Sequence, residues 1–230
     1  MSYLEKLLFA TLPIITSYII IILILILFAI IYNTLGNNDI NHFLSISPYI
    51  LIPSYIITII ILIKKYSIKI NFTSLLKEKT FFYTSLGISL SILLNMLIFK
   101  YFSISQTKYS LSLIINIISS GLIGPVYEEI LFRGIFYNKL LKFNSPKKSL
   151  IITTICFSLI HFSPIKMFYA LILGYIFTKI YQKDNNILSP IIIHVSANIT
   201  SIFLYEYNTY LLLFSLINCL LCIYIIGKLN

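Results

Sequence analysis

The sequence predicts an all-α fold: a polytopic membrane helix bundle of about eight transmembrane helices, with a buried polar cavity open to the cytoplasmic side. Two observations predict this fold. Of the 230 residues, 59% are hydrophobic and 10% are charged, and the mean hydropathy is +0.96. Long uncharged runs also recur along the chain. A soluble domain is usually about a quarter charged, so this composition excludes a soluble enzyme, a disordered tail and a nucleic-acid module.

The spans follow from the uncharged runs, because about 20 apolar residues at about 1.5 Å each cross a hydrocarbon layer about 30 Å thick. Two shorter stretches, 149–162 and 167–178, predict a tight helical pair. The first long run has no small-residue cleavage site and exceeds a signal-peptide core, so we expect a retained helix. The long runs number six and cover residues 7–32, 43–63, 80–99, 109–127, 185–205 and 207–227.

The lysines predict the orientation of these helices. If the spans alternate, thirteen lysines fall on the side of the amino terminus, and only Lys100, Lys108 and Lys166 fall on the other side. Cytoplasmic loops carry the excess of basic residues, so we expect both termini in the cytoplasm, with the chain in a bacterial cytoplasmic membrane. Lysines beside anionic lipid account for the net charge of +10 without a nucleic-acid partner.

No repeat, linker or shift of composition divides the chain, so we expect a single integral membrane domain over residues 1–230. Within it, residues 121–200 are expected to form a motif-bearing catalytic core, and residues 1–108 to serve as scaffold or substrate-contact helices. The oligomeric state has no signature in the sequence.

Ionisable residues at membrane depth are the most informative, since a charge at a helix centre costs about 2.5–3.5 kcal/mol and persists only with a partner or a task. Counted from the nearest cytoplasmic lysine, Glu128, His161 and His194 each lie roughly 15–20 Å deep, so we expect them to line one water pocket. The candidate site residues are Glu128, Glu129, Arg133, His161, His194 and Asn198. The remaining acids and the third histidine are expected to be solvated: Glu5, Asp39, Glu78, Asp184, Glu206 and His42.

The helix that carries the acid pair has further predicted features. Glu129 and Arg133 are four residues apart, in the acid-first order that suits an ion pair within a helix. Glu128 points about 100° away from Glu129, so only one of the two acids can easily hold Arg133. Gly124 and Pro125 lie just upstream, and a continuous helix here would be long for the bilayer, so we expect a break or a strong tilt near Gly124.

Three four-residue spacings occur in order along the chain: EEILFRG at 128–134, FSLIH at 157–161 and HVSAN at 194–198. Together they resemble the signature of the CPBP family of intramembrane glutamic endopeptidases, also called the CAAX protease, bacteriocin-processing or Abi family. The resemblance covers roughly residues 121–200. Each spacing is weak alone, but three in the family's order are specific.

The resemblance implies peptide hydrolysis without metal or other cofactor. Glu128 would be the general base and His161 would help to hold the attacking water. His194 and Asn198 would stabilise the oxyanion, and Glu129 with Arg133 would be a supporting ion pair. The implied substrate is a peptide or a membrane-tethered protein, cleaved in prenylated C-terminus trimming, in pheromone or bacteriocin maturation, or in self-immunity.

Other interpretations of the same residues stay open. Glutamate and two histidines could bind zinc with an open water position, although the HExxH pattern is absent. Buried acids also serve transporters and proton relays, and a non-catalytic immunity or regulatory protein would act by binding alone. Residue by residue, Glu129 with Arg133 could be a structural salt bridge, the histidines could be interhelical hydrogen-bonding residues, and Phe157 could be packing.

Overall fold

The computed structural model describes residues 2–36, 39–68, 70, 77–102 and 113–228, and within these ranges the regular structure is helical with no strand. This confirms the all-α prediction. The predicted loop lysines Lys69 and Lys108 lie outside the described residues, as does the side chain of Glu78. The helices are α1 (Tyr3–Thr34), α2 (Ile40–Tyr66), α3 (Lys77–Phe102), α4 (Leu113–Leu140), α5 (Pro146–Leu159), α6 (Pro164–Asp184), α7 (Leu188–Ile202) and α8 (Thr209–Lys228).

Five of the described helices are long and apolar enough to cross a membrane: α1, most of α2 and α3, α4 and α8. The chain is therefore an integral membrane protein. Helix α7 is apolar but has only 15 residues, fewer than the expected span over 185–205. Eight transmembrane helices and a polar cavity remain predictions.

The predicted short pair over 149–178 is a pair of unequal helices. Helix α5 has 14 residues and packs against α6, which has 21 and continues well beyond residue 178, through Lys179 and Lys183. The hydroxyl of Ser158 donates to the carbonyl of Met167 at 2.7 Å across the turn between them. Helix α6 ends where Asn185 adopts a left-handed conformation at φ 49°, which asparagine tolerates better than most residues.

Helix α4 continues through Gly124 in these described residues, so the expected break is wrong; the alternative, a strong tilt, stays a prediction. Two π-helical stretches, Ile117–Ile123 and Ile130–Tyr137, flank the α-helical Gly124–Glu129. The N–H of Gly124 bonds to the carbonyl of Ser119, five residues back, and Pro125, which has no N–H to donate, follows directly. Wide turns therefore replace the break; such π-helical turns are frequent at functional sites.

The chain forms two compact units. Helices α1, α2 and α4 belong to the first, which spans residues 1–69 and 109–143. Helices α3 and α5 to α8 belong to the second, which spans residues 70–108 and 144–230. The single catalytic domain and its scaffold stay as predictions.

A nearly buried lysine joins the helices of the first unit. The ammonium group of Lys139 donates to the carbonyl of Phe9 at 3.1 Å and lies 3.9 Å from the centroid of its ring. The same ammonium group lies 5.3 Å from the ring centroid of Tyr66. Lys139 is only 9% exposed and belongs to the last turn of α4. In the sequence, Lys139 is one of the thirteen lysines assigned to the cytoplasmic side and the lysine nearest to Glu128, from which the depth of Glu128 was counted. Because it is nearly buried, it does not mark an open membrane edge.

In the second unit, α3 packs closely against α7 and α8. A Cβ at Gly87 would overlap the hydroxyl oxygen of Ser196 and the carbonyl oxygen of Ile193, so only glycine allows α3 to approach α7 this closely. Farther along, the amide of Asn95 donates to the hydroxyl of Ser201 at 3.4 Å. On the α8 side, the amide of Asn218 donates to hydroxyls of α3. A close approach at a glycine and a polar contact thus hold α7 on α3, and polar contacts hold α8 on α3.

Asp184 was expected to be solvated, and the structure corrects this. Its side chain is only 5% exposed and forms an ion pair with Lys79 at 3.4 Å. The hydroxyls of Tyr83 and Ser189 each donate to the same carboxylate oxygen at 2.5 Å. The carboxylate therefore ties together α3, the end of α6 and the start of α7. The other described residues expected to be solvated are exposed, namely Glu5, Asp39, Glu206 and His42.

The close approach at Gly87 predicts a stability effect. Gly87→Ala should destabilise the protein by about 1–3 kcal/mol, because the added methyl group has no room beside α7. At roughly 2–4 °C per kcal/mol for a chain of this size, the melting temperature in detergent should fall by several degrees. Gly227→Ala is the control, since a Cβ there meets nothing within 4 Å. Equal melting temperatures for the two variants would contradict the close packing.

Candidate active site

The acid pair motif contains a completely buried ion pair. Arg133 Nη1 donates to Glu129 Oε1 at 2.8 Å, and both side chains are 0% exposed. This confirms the ion pair that the spacing predicts. A buried charge is retained only where a partner compensates it, so each of these two residues requires the other.

The backbone around this ion pair is π-helical from Ile130 onward. A π-helical turn changes the ordinary pairing of carbonyls in the helix. The amide of Asn138 donates to the carbonyls of Arg133 and Gly134 at 3.2 and 3.0 Å and so satisfies this part of the turn. Asn138 therefore stabilises the turn that carries Arg133, a role that the sequence analysis did not assign.

Glu128 differs from its neighbour in its surroundings. Its side chain is partly exposed, whereas Glu129 is fully buried. It directly follows Tyr127, whose ring contacts the rings of Tyr18 and Tyr55. The two acids of the motif therefore lie in different environments: one is enclosed with the guanidinium group, and the other is partly open beside hydroxyl groups.

Three tyrosine rings pack together within the first unit, around the residue that precedes Glu128. The ring of Tyr127 on α4 stacks on that of Tyr55 on α2, with centroids 4.9 Å apart. It also meets the ring of Tyr18 on α1 edge-on at 6.2 Å. The hydroxyl of Tyr127 donates to Ser17 at 3.0 Å. Sequence reasoning missed Tyr18 and Tyr55, because both lie in uniformly apolar runs of a chain with 18 tyrosines.

The second and third motifs meet in the second unit through Phe157. Its side chain is 1% exposed, and its ring lies edge-on to the rings of His161 and His194, with centroids at 5.2 and 5.9 Å. The interpretation of Phe157 as packing is therefore incomplete, since what it packs against is both motif histidines. The structure brings these two imidazoles into contact with one buried ring.

The hydrogen bond of His161 assigns its tautomer. The residue lies in the turn just after α5, partly exposed, and its Nδ1 is 2.9 Å from the carbonyl oxygen of Phe157. A carbonyl oxygen can only accept, so Nδ1 carries the hydrogen in this bond. In the neutral ring the lone pair is then on Nε2. His161 can therefore accept a hydrogen bond or a proton at Nε2.

His194 is held between aromatic rings. It is 4% exposed, and its ring lies at 4.8 Å and 32° to the ring of Phe177, in addition to its contact with Phe157. Asn198 follows one turn later on α7 and is partly exposed. The rings fix the plane of the imidazole, while the spacing keeps the amide on the same side of the helix.

Comparison with known proteins identifies the segment that carries these residues. Residues 110–200 match the family model described as "Type II CAAX prenyl endopeptidase Rce1-like", and all six candidate residues lie inside the match. The chain is also 36% identical over 81 residues to the UPF0177 protein YxdF of Lactococcus lactis subsp. lactis (strain IL1403). That alignment covers 34% of this chain and 44% of the relative, so the chain spans less than half the length of that protein. No solved structure matches the chain.

Several helices are long and apolar enough to cross a membrane, and ionisable motif residues are buried among them. Together these features define a polytopic membrane protein. The motif-bearing segment is thus similar to a family of type II CAAX prenyl endopeptidases, which supports the resemblance seen in the three motifs.

The buried ion pair predicts a strongly non-additive pair of substitutions. Glu129→Gln or Arg133→Met alone should destabilise the fold by about 3–5 kcal/mol, because each leaves one buried charge without its partner. The double variant should recover most of this loss, since neither charge then remains. Melting temperature and the yield of monodisperse protein in detergent measure the effect. Two single losses that simply add in the double variant would contradict the ion pair's role.

Proposed function

We propose that this protein is an intramembrane endopeptidase that hydrolyses a peptide bond in a membrane-associated or peptide substrate, with a glutamate-activated water. One observation carries the proposal: the match to a prenyl endopeptidase family spans all three motifs, and each motif residue is present in this chain. The partly exposed state of Glu128 supports it further, because a general base must be reached by water.

In this proposal Glu128 takes a proton from water as the water oxygen attacks the scissile carbonyl carbon. The carbonyl π electrons move to oxygen and give a tetrahedral oxyanion. Collapse of this intermediate breaks the carbon–nitrogen bond, and the proton held by Glu128 passes to the leaving amine. His161 holds the water as a hydrogen-bond acceptor through Nε2, which the Nδ1 contact with Phe157 leaves as the acceptor nitrogen.

His194 and Asn198 stabilise the oxyanion in this mechanism. An imidazole N–H and an amide NH₂ are both hydrogen-bond donors, and fixed donors aimed at developing charge lower the barrier more than mobile ones. The aromatic contacts of His194 support this role, because they restrict rotation of the ring. Glu129 and Arg133 act as a supporting ion pair that holds the helix turn bearing Glu128 and adds positive potential.

The location of the reaction is also part of the proposal. We place the protein in a bacterial cytoplasmic membrane with both termini in the cytoplasm, on the strength of the lysine distribution. A peptide or membrane-tethered segment suits a protein built mainly of helices with short connections. Substrates of processing, signalling and immunity all fit this chemistry.

Substitution of the proposed base and of the oxyanion donor should separate their contributions. Glu128→Gln should lower the rate of hydrolysis by about 10² to 10⁴, because the proton acceptor is lost. Asn198→Ala should lower it by about 10² to 10³, as for the loss of one oxyanion donor. Quantitative mass spectrometry of membrane-proximal peptides, in cells carrying the wild type or a variant at equal protein level, measures both effects. A phenotype that persists in Glu128→Ala without any change in peptides would favour a non-catalytic binding protein.

The metal-free mechanism predicts insensitivity to chelators. Activity of the purified protein should change less than about twofold after treatment with a strong zinc chelator, because a glutamate-activated water needs no Lewis acid. The alternative of a zinc-bound water predicts lasting inactivation that zinc restores. The same treatment of a known zinc protease in the same detergent is the control.

A further inference from the structure

The tyrosine cluster beside Glu128 belongs to none of the three motifs. Tyr18 comes from α1, Tyr55 from α2 and Tyr127 from α4, so three helices of the first unit contribute to it. We infer that Tyr18 and Tyr55 are positioning residues for Glu128, whose hydroxyl groups donate to its carboxylate or to the water beside it. The inference rests on the proposed function, and it assigns a task to the first two helices of the chain.

Tyr127 provides the fixed part of this cluster. It is 1% exposed, and its hydroxyl already donates to Ser17 at 3.0 Å. Its ring stacks on Tyr55 at an interplanar angle of 25° and meets Tyr18 at 85°. Stacked and edge-on contacts are the two favoured geometries of aromatic pairs. Tyr127 therefore holds the other two rings in place beside the residue that follows it in the chain.

The two remaining hydroxyl groups lie within range of the charge of Glu128. Tyr18 and Tyr55 are both partly buried, and the carboxylate acts electrostatically on each of them. In the part of the chain that the structure describes, neither hydroxyl forms a hydrogen bond with a protein group, Glu128 included. Both side chains are only partly buried, so one water can bridge each hydroxyl to this carboxylate.

This arrangement has a chemical consequence for a base in a membrane. Donors aimed at a carboxylate favour its charged form and restrict its rotation. Two tyrosines can supply such donors without adding a charge, so they do not disturb the ion pair of Glu129 and Arg133. If these tyrosines served only for aromatic packing, their rings would be sufficient. Tyr→Phe substitutions remove only the hydroxyl, so they separate a packing role from a hydrogen-bonding role.

The test uses full-length protein in lipid nanodiscs as Tyr18→Phe, Tyr55→Phe and the double variant. Tyr32→Phe is the matched control: it lies on the same helix as Tyr18, roughly 21 Å along at 1.5 Å per residue, and its hydroxyl contacts His42 Nδ1 at 2.6 Å. Four quantities are measured: kcat and KM of Glu128-dependent hydrolysis, the melting temperature, and the rate at which a hydrophobic carbodiimide labels Glu128, read by peptide mass spectrometry. Carbodiimides react with protonated carboxyl groups.

Each single variant should lower kcat roughly tenfold, the size expected for one hydrogen bond to a charged group, and the double variant more. KM should change less than about twofold and the melting temperature should stay constant, since the rings remain. Labelling of Glu128 should rise severalfold, because the donors that favour its charged form are gone. Tyr32→Phe should match the wild type in kcat, KM and labelling.

A double variant with wild-type kcat and wild-type labelling overturns the inference, and so does a fall in kcat that only follows a fall in melting temperature. If the wild type shows no hydrolysis that depends on Glu128, the proposed function fails. The labelling rates then decide the inference separately: a rise supports the contact between the hydroxyls and the carboxylate, and an unchanged rate overturns it.

Discussion

The buried ion pair of Glu129 and Arg133 sets the conditions for the whole first unit. Two charged groups with no exposed surface in a membrane protein require an enclosure of protein, because lipid cannot solvate them. Helices α1 and α2 supply that enclosure by packing against α4. The same helices then present Tyr18 and Tyr55 beside Glu128, so burying one acid also organises the surroundings of the other.

The sequence predicted structure that depends on composition or on spacing within one helix. It did not predict contacts between residues far apart in the chain. The all-α class follows from composition, and the ion pair of Glu129 and Arg133 follows from a spacing within one helix. Asp184 was misjudged because its partners Lys79 and Tyr83 lie 105 and 101 residues away. Lys139 was taken as a loop residue for the same reason, since its acceptor Phe9 is 130 residues away.

In the candidate site, residue spacing predicts neighbours within one helix but not contacts between helices. Four-residue spacing placed Phe157 and His161 on one helix face, but it could not show that His194, on another helix, meets the same ring. It also gave no reason to select Tyr18 or Tyr55, because tyrosine in an apolar run carries no periodic signal. Where α4 has π-helical turns, the sequence predicted a break or a strong tilt, since glycine and proline mark irregularity without specifying its form.

The contacts of the Asp184 carboxylate with α3 have a consequence for biogenesis. Helix α3 leaves the ribosome about a hundred residues before Asp184 does, so it enters the bilayer well ahead of the carboxylate that Lys79 and Tyr83 contact. Until α7 and α8 arrive, the serines and the asparagine along α3 must be sheltered by the insertion machinery or by lipid headgroups. Premature termination of translation before residue 184 would therefore leave Lys79 and Tyr83 without the carboxylate that they contact.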